Sequence, residues 1–178
     1  MLMNTKIYID FDGVILDTWN FIYNQYLNKY KSKRLEEIKI KKLMECLGWE
    51  QIINNSNIIN NGIKKIKILQ SKYYVCILTK INSEEEKLEK LKFLNQNGIF
   101  QIIFVPYEEN KSKYVKAKGC YLIDDDLGNL DDWHKNNGYS VYFNEYSSNK
   151  DSYGKINKNY ELIDNLDSIY DIIKSKDG

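Results

Sequence analysis

Asp10-Phe11-Asp12-Gly13-Val14-Ile15-Leu16-Asp17-Thr18 follows directly on the apolar run Ile7-Tyr8-Ile9. A short apolar run of this kind reads as a buried strand. Side chains alternate along a strand, so Asp10 and Asp12, two residues apart, leave its end on one side. Two carboxylates brought together repel each other unless a cation or a shared proton intervenes. A hard, oxygen-binding metal is the simplest solution. Gly13 permits a tight bend and a close approach of backbone to a metal or phosphate. A calcium-binding helix-loop-helix is excluded, because its glycine stands sixth in the loop and Gly13 stands fourth counted from Asp10. Taken alone, the stretch would also suit an Asp-rich turn closing an ordinary strand.

Beyond Thr18 the apolar pattern becomes helical. Trp19, Ile22, Tyr23, Tyr26 and Leu27 form one stripe, and Leu35, Ile38, Leu43, Met44 and Leu47 form a second, broken by Gly48. This block is too long for one crossover helix. Residues 18–57 therefore read as a small helical cap, with residues 58–70 as the crossover and residues 1–17 and 58–178 as the core. The cap holds seven cations (Lys29, Lys31, Lys33, Arg34, Lys39, Lys41, Lys42) against four anions (Glu36, Glu37, Glu45, Glu50). That excess suits an anionic substrate, and equally a solvated helix face.

The remainder alternates strand and helix. Tyr74 to Leu78 is a strand ending at Thr79. Ser83 and Glu86 then form a capping-box pattern at the head of a helix bearing Leu88, Leu91 and Leu94, which stops at Asn97-Gly98. Gln101 to Val105 is a strand closed by Pro106, and a short helix is expected over Lys111 to Lys118. Cys120 to Ile123 is a strand running into Asp124-Asp125-Asp126. Leu130 and Trp133 mark the next helix, Ser140 to Phe143 a further strand, Asn144 to Tyr160 a polar loop, and Leu166 to Ile173 a closing helix. The alternation predicts an α/β, Rossmann-like parallel sheet with helices on both faces. Ligands in such sheets bind beyond the carboxyl ends of the strands. Asp10, Asp12, Thr79, Asp124 and Asp125 should therefore meet there.

Composition narrows the function. The chain has 178 residues, the size of one domain with an insertion, and 26 Lys plus Arg against 25 Asp plus Glu. A net charge of +1 argues against a dedicated binder of nucleic acid polymers. Cys46, Cys76 and Cys120 are scattered, suggesting neither a zinc site nor a disulfide framework. No signal peptide and no membrane span is expected, and a reducing cytoplasm fits best.

A magnesium ion shared by Asp10, Asp12 and an aspartate of residues 124–126 would point to phosphate chemistry, since Mg²⁺ is usually held by one or two carboxylates plus substrate phosphate. One aspartate could attack phosphorus, and a second could protonate the leaving oxygen and later activate water. A hydroxyl and a cation are also needed for the equatorial oxygens of the transferring group. Thr79 and Lys111 suit those parts, with Lys113 a serious competitor for the second. The plainer alternatives stay open: Thr79 as a helix-start residue, residues 124–126 as an N-cap run.

Together, Asp10-Phe11-Asp12-Gly13-Val14, Thr79, Lys111 and Leu122-Ile123-Asp124-Asp125 resemble the four ordered motifs of the haloacid dehalogenase-like phosphohydrolases. The resemblance extends to about Phe143. It implies Asp10 as nucleophile, Asp12 as general acid/base, and Thr79 and Lys111 as the phosphoryl-holding pair. It also implies Mg²⁺ bound by Asp10, Asp124, Asp125 in support, and the backbone carbonyl of Asp12. The first motif running to Asp17, the helical insertion, and Asn129-Leu130-Asp131-Asp132-Trp133 after Asp125 are most similar to the 5'(3')-deoxyribonucleotidase branch. That branch implies a nucleoside monophosphate as substrate, with Trp19 a candidate to stack on the base, although an aromatic on a helical stripe is also a core residue. A sugar-phosphate or other small-metabolite phosphatase, or a non-catalytic phospho-ligand-binding protein of the same fold, are the alternatives. Oligomeric state is not legible.

Overall fold

Ile7, Tyr8 and Ile9 are all buried, and with Lys6 they form β1 (Lys6–Ile9), which has a neighbour on each edge. The structure is a computed structural model describing residues 5–145 and 159–177. After β1 come α1 (Thr18–Tyr30), α2 (Glu37–Leu47), α3 (Trp49–Asn55) and α4 (Gly62–Gln70). The chain continues through β2 (Tyr74–Ile81), α5 (Glu84–Gln96), β3 (Ile102–Pro106), β4 (Tyr121–Asp124) and α6 (Leu127–Lys135). It closes with β5 (Tyr139–Phe143), β6 (Glu161–Ile163) and α7 (Ile169–Asp177). Among the described residues six strands pair in parallel, in the order β3-β2-β1-β4-β5-β6.

Strand alternation divides the core into two layers. Ile7, Ile9, Val75, Ile77, Tyr121, Ile123, Val141 and Phe143 face one way, against Ile66 and Leu69 of α4, Leu94 of α5 and Ile169 and Ile173 of α7. Tyr8, Cys76, Leu78 and Leu122 face the other, against Leu130 and Trp133 of α6. Trp133 is fully buried, and its indole N–H donates to the Cys120 carbonyl at 3.0 Å, so its one polar atom is satisfied. Burial on both faces explains why these strands read as continuous apolar runs. The expected α/β, Rossmann-like architecture is present.

Topology fixes where a ligand would go. From β1 the chain builds β2 and β3 on one side, then crosses to build β4, β5 and β6 on the other. The order reverses between β1 and β4, and it is beyond the carboxyl ends at such a switch point that open α/β sheets bind their ligands. The block α1–α3 leaves and rejoins the sheet layer at one place. Asp17 N donates to the Asn57 carbonyl at 3.0 Å, and Leu16 bridges Ile58. No helix among the described residues is long and apolar enough to cross a membrane.

Several local expectations need correction. Strand β2 does not end before Thr79 but runs on to Ile81, because β3 pairs with it through Ile81↔Pro106. Thr79 is therefore a strand residue. The helix expected over Lys111 to Lys118 is a single 3-10 turn, Lys111–Lys113. The second helical stripe is followed by a third helix, α3, which starts immediately after Gly48 at φ +72°. Strand β6, three residues long, carries too little pattern to be read from sequence. Of the loop expected over Asn144 to Tyr160, residues 146–158 lie outside the described part.

Candidate active site

Register brings the first two acidic segments together. Ile9 pairs with Ile123, and the Asp10 N–H donates to the Ile123 carbonyl at 2.9 Å, so Asp10 stands beside the end of β4, where Asp124 is the last residue. One carboxylate oxygen each from Asp10, Asp124 and Asp125 lies within 4.8 Å of the others. Lys111, fully buried, reaches this group from the 3-10 turn. Its Nζ is 2.9 Å from Asp10 Oδ1 and 2.7 Å from Asp124 Oδ2. Lys113 is exposed and pairs with Glu109 at 2.5 Å. The two lysines that sequence could not separate are thus separated by burial. Asp124 is steadied further by the Asp126 N–H at 2.9 Å and by Asn129 Nδ2 at 3.1 Å.

Asp12 turns elsewhere. Its Oδ1 accepts from the Thr18 hydroxyl at 2.8 Å, and its Oδ2 lies 2.5 Å from Nζ of Lys90, a fully buried residue of α5. The same ammonium is 2.7 Å from Glu86 Oε1, 2.9 Å from the Lys80 carbonyl and 3.2 Å from Thr79 Oγ1. Thr79 thereby joins the site through Lys90. The Asp12 carboxylate was expected to share a cation with Asp10; among the described residues, the carboxylates that lie close enough together to share one are those of Asp10, Asp124 and Asp125. Only the backbone carbonyl of Asp12 is left as the ligand the resemblance implies.

Charge is unevenly balanced here. Burial pushes the Asp124 carboxyl up to about 6, against the opposing pull of Lys111, and the charge of Asp10 adds to the rise. Asp125 lies at the rim with its carboxylate turned in over Gly13. Lost hydration, then repulsion from Asp10, Asp124 and Asp12, push it up to about 8. Burial disfavours the Lys111 ammonium, but Asp10 and Asp124 more than offset this and its pKa is raised. Three carboxyl groups face one ammonium, and two of them resist ionising beside the others, an unfavourable crowding of like charge that a divalent ion would relieve. Asp10 Oδ1 sits at ion-pair distance from Lys111 yet accepts no hydrogen bond, which leaves a buried acceptor for a cation. These donors fit Mg²⁺, a hard ion that takes oxygen ligands.

Against the sequence, neither a family model nor a curated protein matches. Solved structures do match the fold. A haloacid dehalogenase-like family hydrolase from Streptococcus pneumoniae superposes with a TM-score of 0.64 at 12% identity, over 97% of this chain and 100% of its own. A HAD-hydrolase from Bacillus subtilis, described as bound to magnesium, gives 0.63 at 13% identity over 96% and 99%. D,D-heptose 1,7-bisphosphate phosphatase from Burkholderia thailandensis gives 0.59 at 12% identity over 97% and 99%. The fold is that of the haloacid dehalogenase-like hydrolases. Identities this low speak for the fold alone, so roles beyond the carboxyl ends of β1 and β4 rest on the geometry of this chain's own side chains.

Gly13 offers a first test of that geometry. Its φ is +69°, a region that L side chains rarely adopt, and a Cβ built there would overlap the Asp125 carboxylate. Gly13→Ala is expected to cost about 1–2 kcal/mol through the backbone and to push Asp125 away from Asp10. Mg²⁺ titration followed by Trp fluorescence should show affinity weakened about tenfold or more. Unchanged affinity would mean that Asp125 takes no part in binding the ion.

Proposed function

We propose that this protein is a Mg²⁺-dependent phosphomonoester hydrolase acting through an aspartyl-phosphate on Asp10. The observation that carries this is the convergence of Asp10, Asp124 and Asp125 at the switch point of the sheet, with Lys111 spanning two of them. Asp10, Asp124, Asp125 and the Asp12 carbonyl would hold the ion. Bound there, Mg²⁺ would neutralise phosphate charge so that a carboxylate can approach it.

The remaining steps belong to the chain's own residues. A carboxylate oxygen of Asp10 attacks phosphorus, the bond from phosphorus to the ester oxygen breaks, and the departing oxygen takes a proton from Asp12. Water then attacks the aspartyl-phosphate, giving its proton to Asp12 and releasing inorganic phosphate, which restores the Asp10 carboxylate. The Thr79 hydroxyl and the Lys111 ammonium hold equatorial oxygens of the transferring group. Residues 18–57 serve as a cap over a core of residues 1–17 and 58–178.

The favoured substrate is a small phosphorylated metabolite of the nucleoside monophosphate class. Supporting this are the first motif extending to Asp17, the helical insertion that follows it, and Trp19. That residue is not core: it is 51% exposed at the start of α1, next to Thr18, whose hydroxyl reaches Asp12. An exposed indole so placed can stack on a base.

The test uses purified protein with Mg²⁺ on p-nitrophenyl phosphate, then on panels of nucleoside monophosphates and sugar phosphates. Hydrolysis is expected to stop with EDTA, to return with added Mg²⁺, and to favour nucleotides. Turnover in metal-free protein would remove the metal site, and a preference for sugar phosphates would remove the nucleotide assignment. Binding of phosphate compounds without any hydrolysis would leave a phospho-ligand-binding protein.

A further inference from the structure

Lys90 is the charged residue at this site that no sequence pattern announced. Its ammonium has three hydrogens and four acceptors in reach: Asp12 Oδ2, Glu86 Oε1, the Lys80 carbonyl and Thr79 Oγ1. It is also roofed by rings, lying 5.3 Å from the Phe11 centroid and 5.4 Å from that of Trp49 in α3. Glu86 is itself anchored, its Oε2 accepting from the Asn82 N–H at 2.8 Å. A buried ion pair of this kind is weak evidence for stability, since an apolar side chain of similar volume often serves as well. Two of the four groups it reaches, however, are the proposed proton carrier, Asp12, and the hydroxyl proposed to donate a hydrogen bond to the phosphoryl group, Thr79.

The geometry has a chemical consequence for each. Asp12 accepts from Thr18 on one oxygen and from Lys90 on the other, which fixes the plane of the carboxylate. Thr79 Oγ1 accepts from Lys90, so a lone pair is occupied and the hydroxyl hydrogen is left to donate to another acceptor. In its present arrangement that acceptor is the Lys80 carbonyl, at a long 3.4 Å, which a phosphoryl oxygen could replace. We propose that Lys90, with Glu86 as its counter-charge, is a positioning residue that sets the carboxylate of Asp12 and the hydroxyl of Thr79 for phosphoryl transfer. This rests on the phosphatase function proposed above, and deepens it.

Leaving-group dependence tests it. p-Nitrophenolate departs from phosphorus with little help, whereas an alkoxide needs the proton that Asp12 supplies, so misplacing Asp12 should harm the two substrates unequally. Lys90→Met, close to lysine in length, is compared with wild type on p-nitrophenyl phosphate and on thymidine 5'-monophosphate at saturating Mg²⁺. We expect kcat/KM, which reports the steps up to transfer onto Asp10 and not the later hydrolysis common to both esters, to fall about 100-fold on the alkyl ester and about tenfold or less on the aryl ester, with the Mg²⁺ midpoint unchanged. Equal losses on both esters, or losses below about threefold on both, would overturn the positioning role. Should Lys90→Met not fold, Glu86→Gln removes the counter-charge in a nearly isosteric way. It should show the same inequality at about tenfold on the alkyl ester, and equal losses there would also overturn the proposal. A wild-type protein that hydrolyses neither ester would instead remove the phosphatase assignment.

Discussion

Asp10→Asn is expected to fold normally and to hydrolyse p-nitrophenyl phosphate at least about 10³-fold more slowly than wild type, a barrier increase of about 4 kcal/mol or more. Asparagine keeps the size of the side chain, and the backbone bond from residue 10 to the Ile123 carbonyl does not depend on its charge. What it removes is the anionic oxygen that would attack phosphorus. It also removes one of three like charges. Burial is the first cause of the raised Asp125 value of about 8, but Asp10 is the second, so the substitution should move Asp125 downward in metal-free protein. Carboxyl-detected NMR titration of the two proteins reads that shift beside the kinetics. A folded Asp10→Asn protein with near wild-type turnover would remove Asp10 as nucleophile.

The two acidic segments were legible because each follows an apolar strand, and parallel strands deliver their carboxyl ends to one edge. Asp10 and Asp124 are therefore neighbours through the pairing of β1 with β4, although far apart in the chain. The lysines were not legible in the same way. Lys111 and Lys113 are two residues apart in a Lys-rich chain, and only the tightness of the 3-10 turn decides which is buried. Lys90 was hidden by a stronger pattern. The leucines of α5 suggest a buried stripe at Leu88, Leu91 and Leu94, yet Leu88 is 54% exposed and the buried positions are Glu86, Lys90 and Leu94. Glu86 and Lys90 stand four apart, a spacing that exposed helical ion pairs also use, so it does not mark a buried site. Glu86 also completes a capping signal, since its own N–H donates to the Ser83 hydroxyl at 3.1 Å. Local helix chemistry gives both residues an ordinary place, and nothing in the pattern pointed to Asp12 and Thr79, which Lys90 reaches from α5.

Lys111→Met is expected to have the largest effect on stability and to make it depend on Mg²⁺. In the metal-free protein this fully buried ammonium is the cation paired with Asp10 and Asp124. Removing one partner from a buried ion pair costs about 3–5 kcal/mol, because the charge left behind is neither hydrated nor compensated. In a chain of 178 residues that corresponds to a melting temperature lower by roughly 10 °C. The Asp126 N–H and Asn129 would still bond Asp124, so the fold should survive. Mg²⁺ would then meet an acidic group with no competing cation, and saturation at 100 times Kd returns about 2.7 kcal/mol. Thermal melts with and without Mg²⁺ should show a larger rise in the variant than in wild type, while turnover stays lost because Lys111 no longer holds a phosphoryl oxygen. Equal rises in both proteins would place the ion away from Asp10 and Asp124, and a variant as stable as wild type without metal would mean that the buried carboxylates do not carry the charge assigned to them.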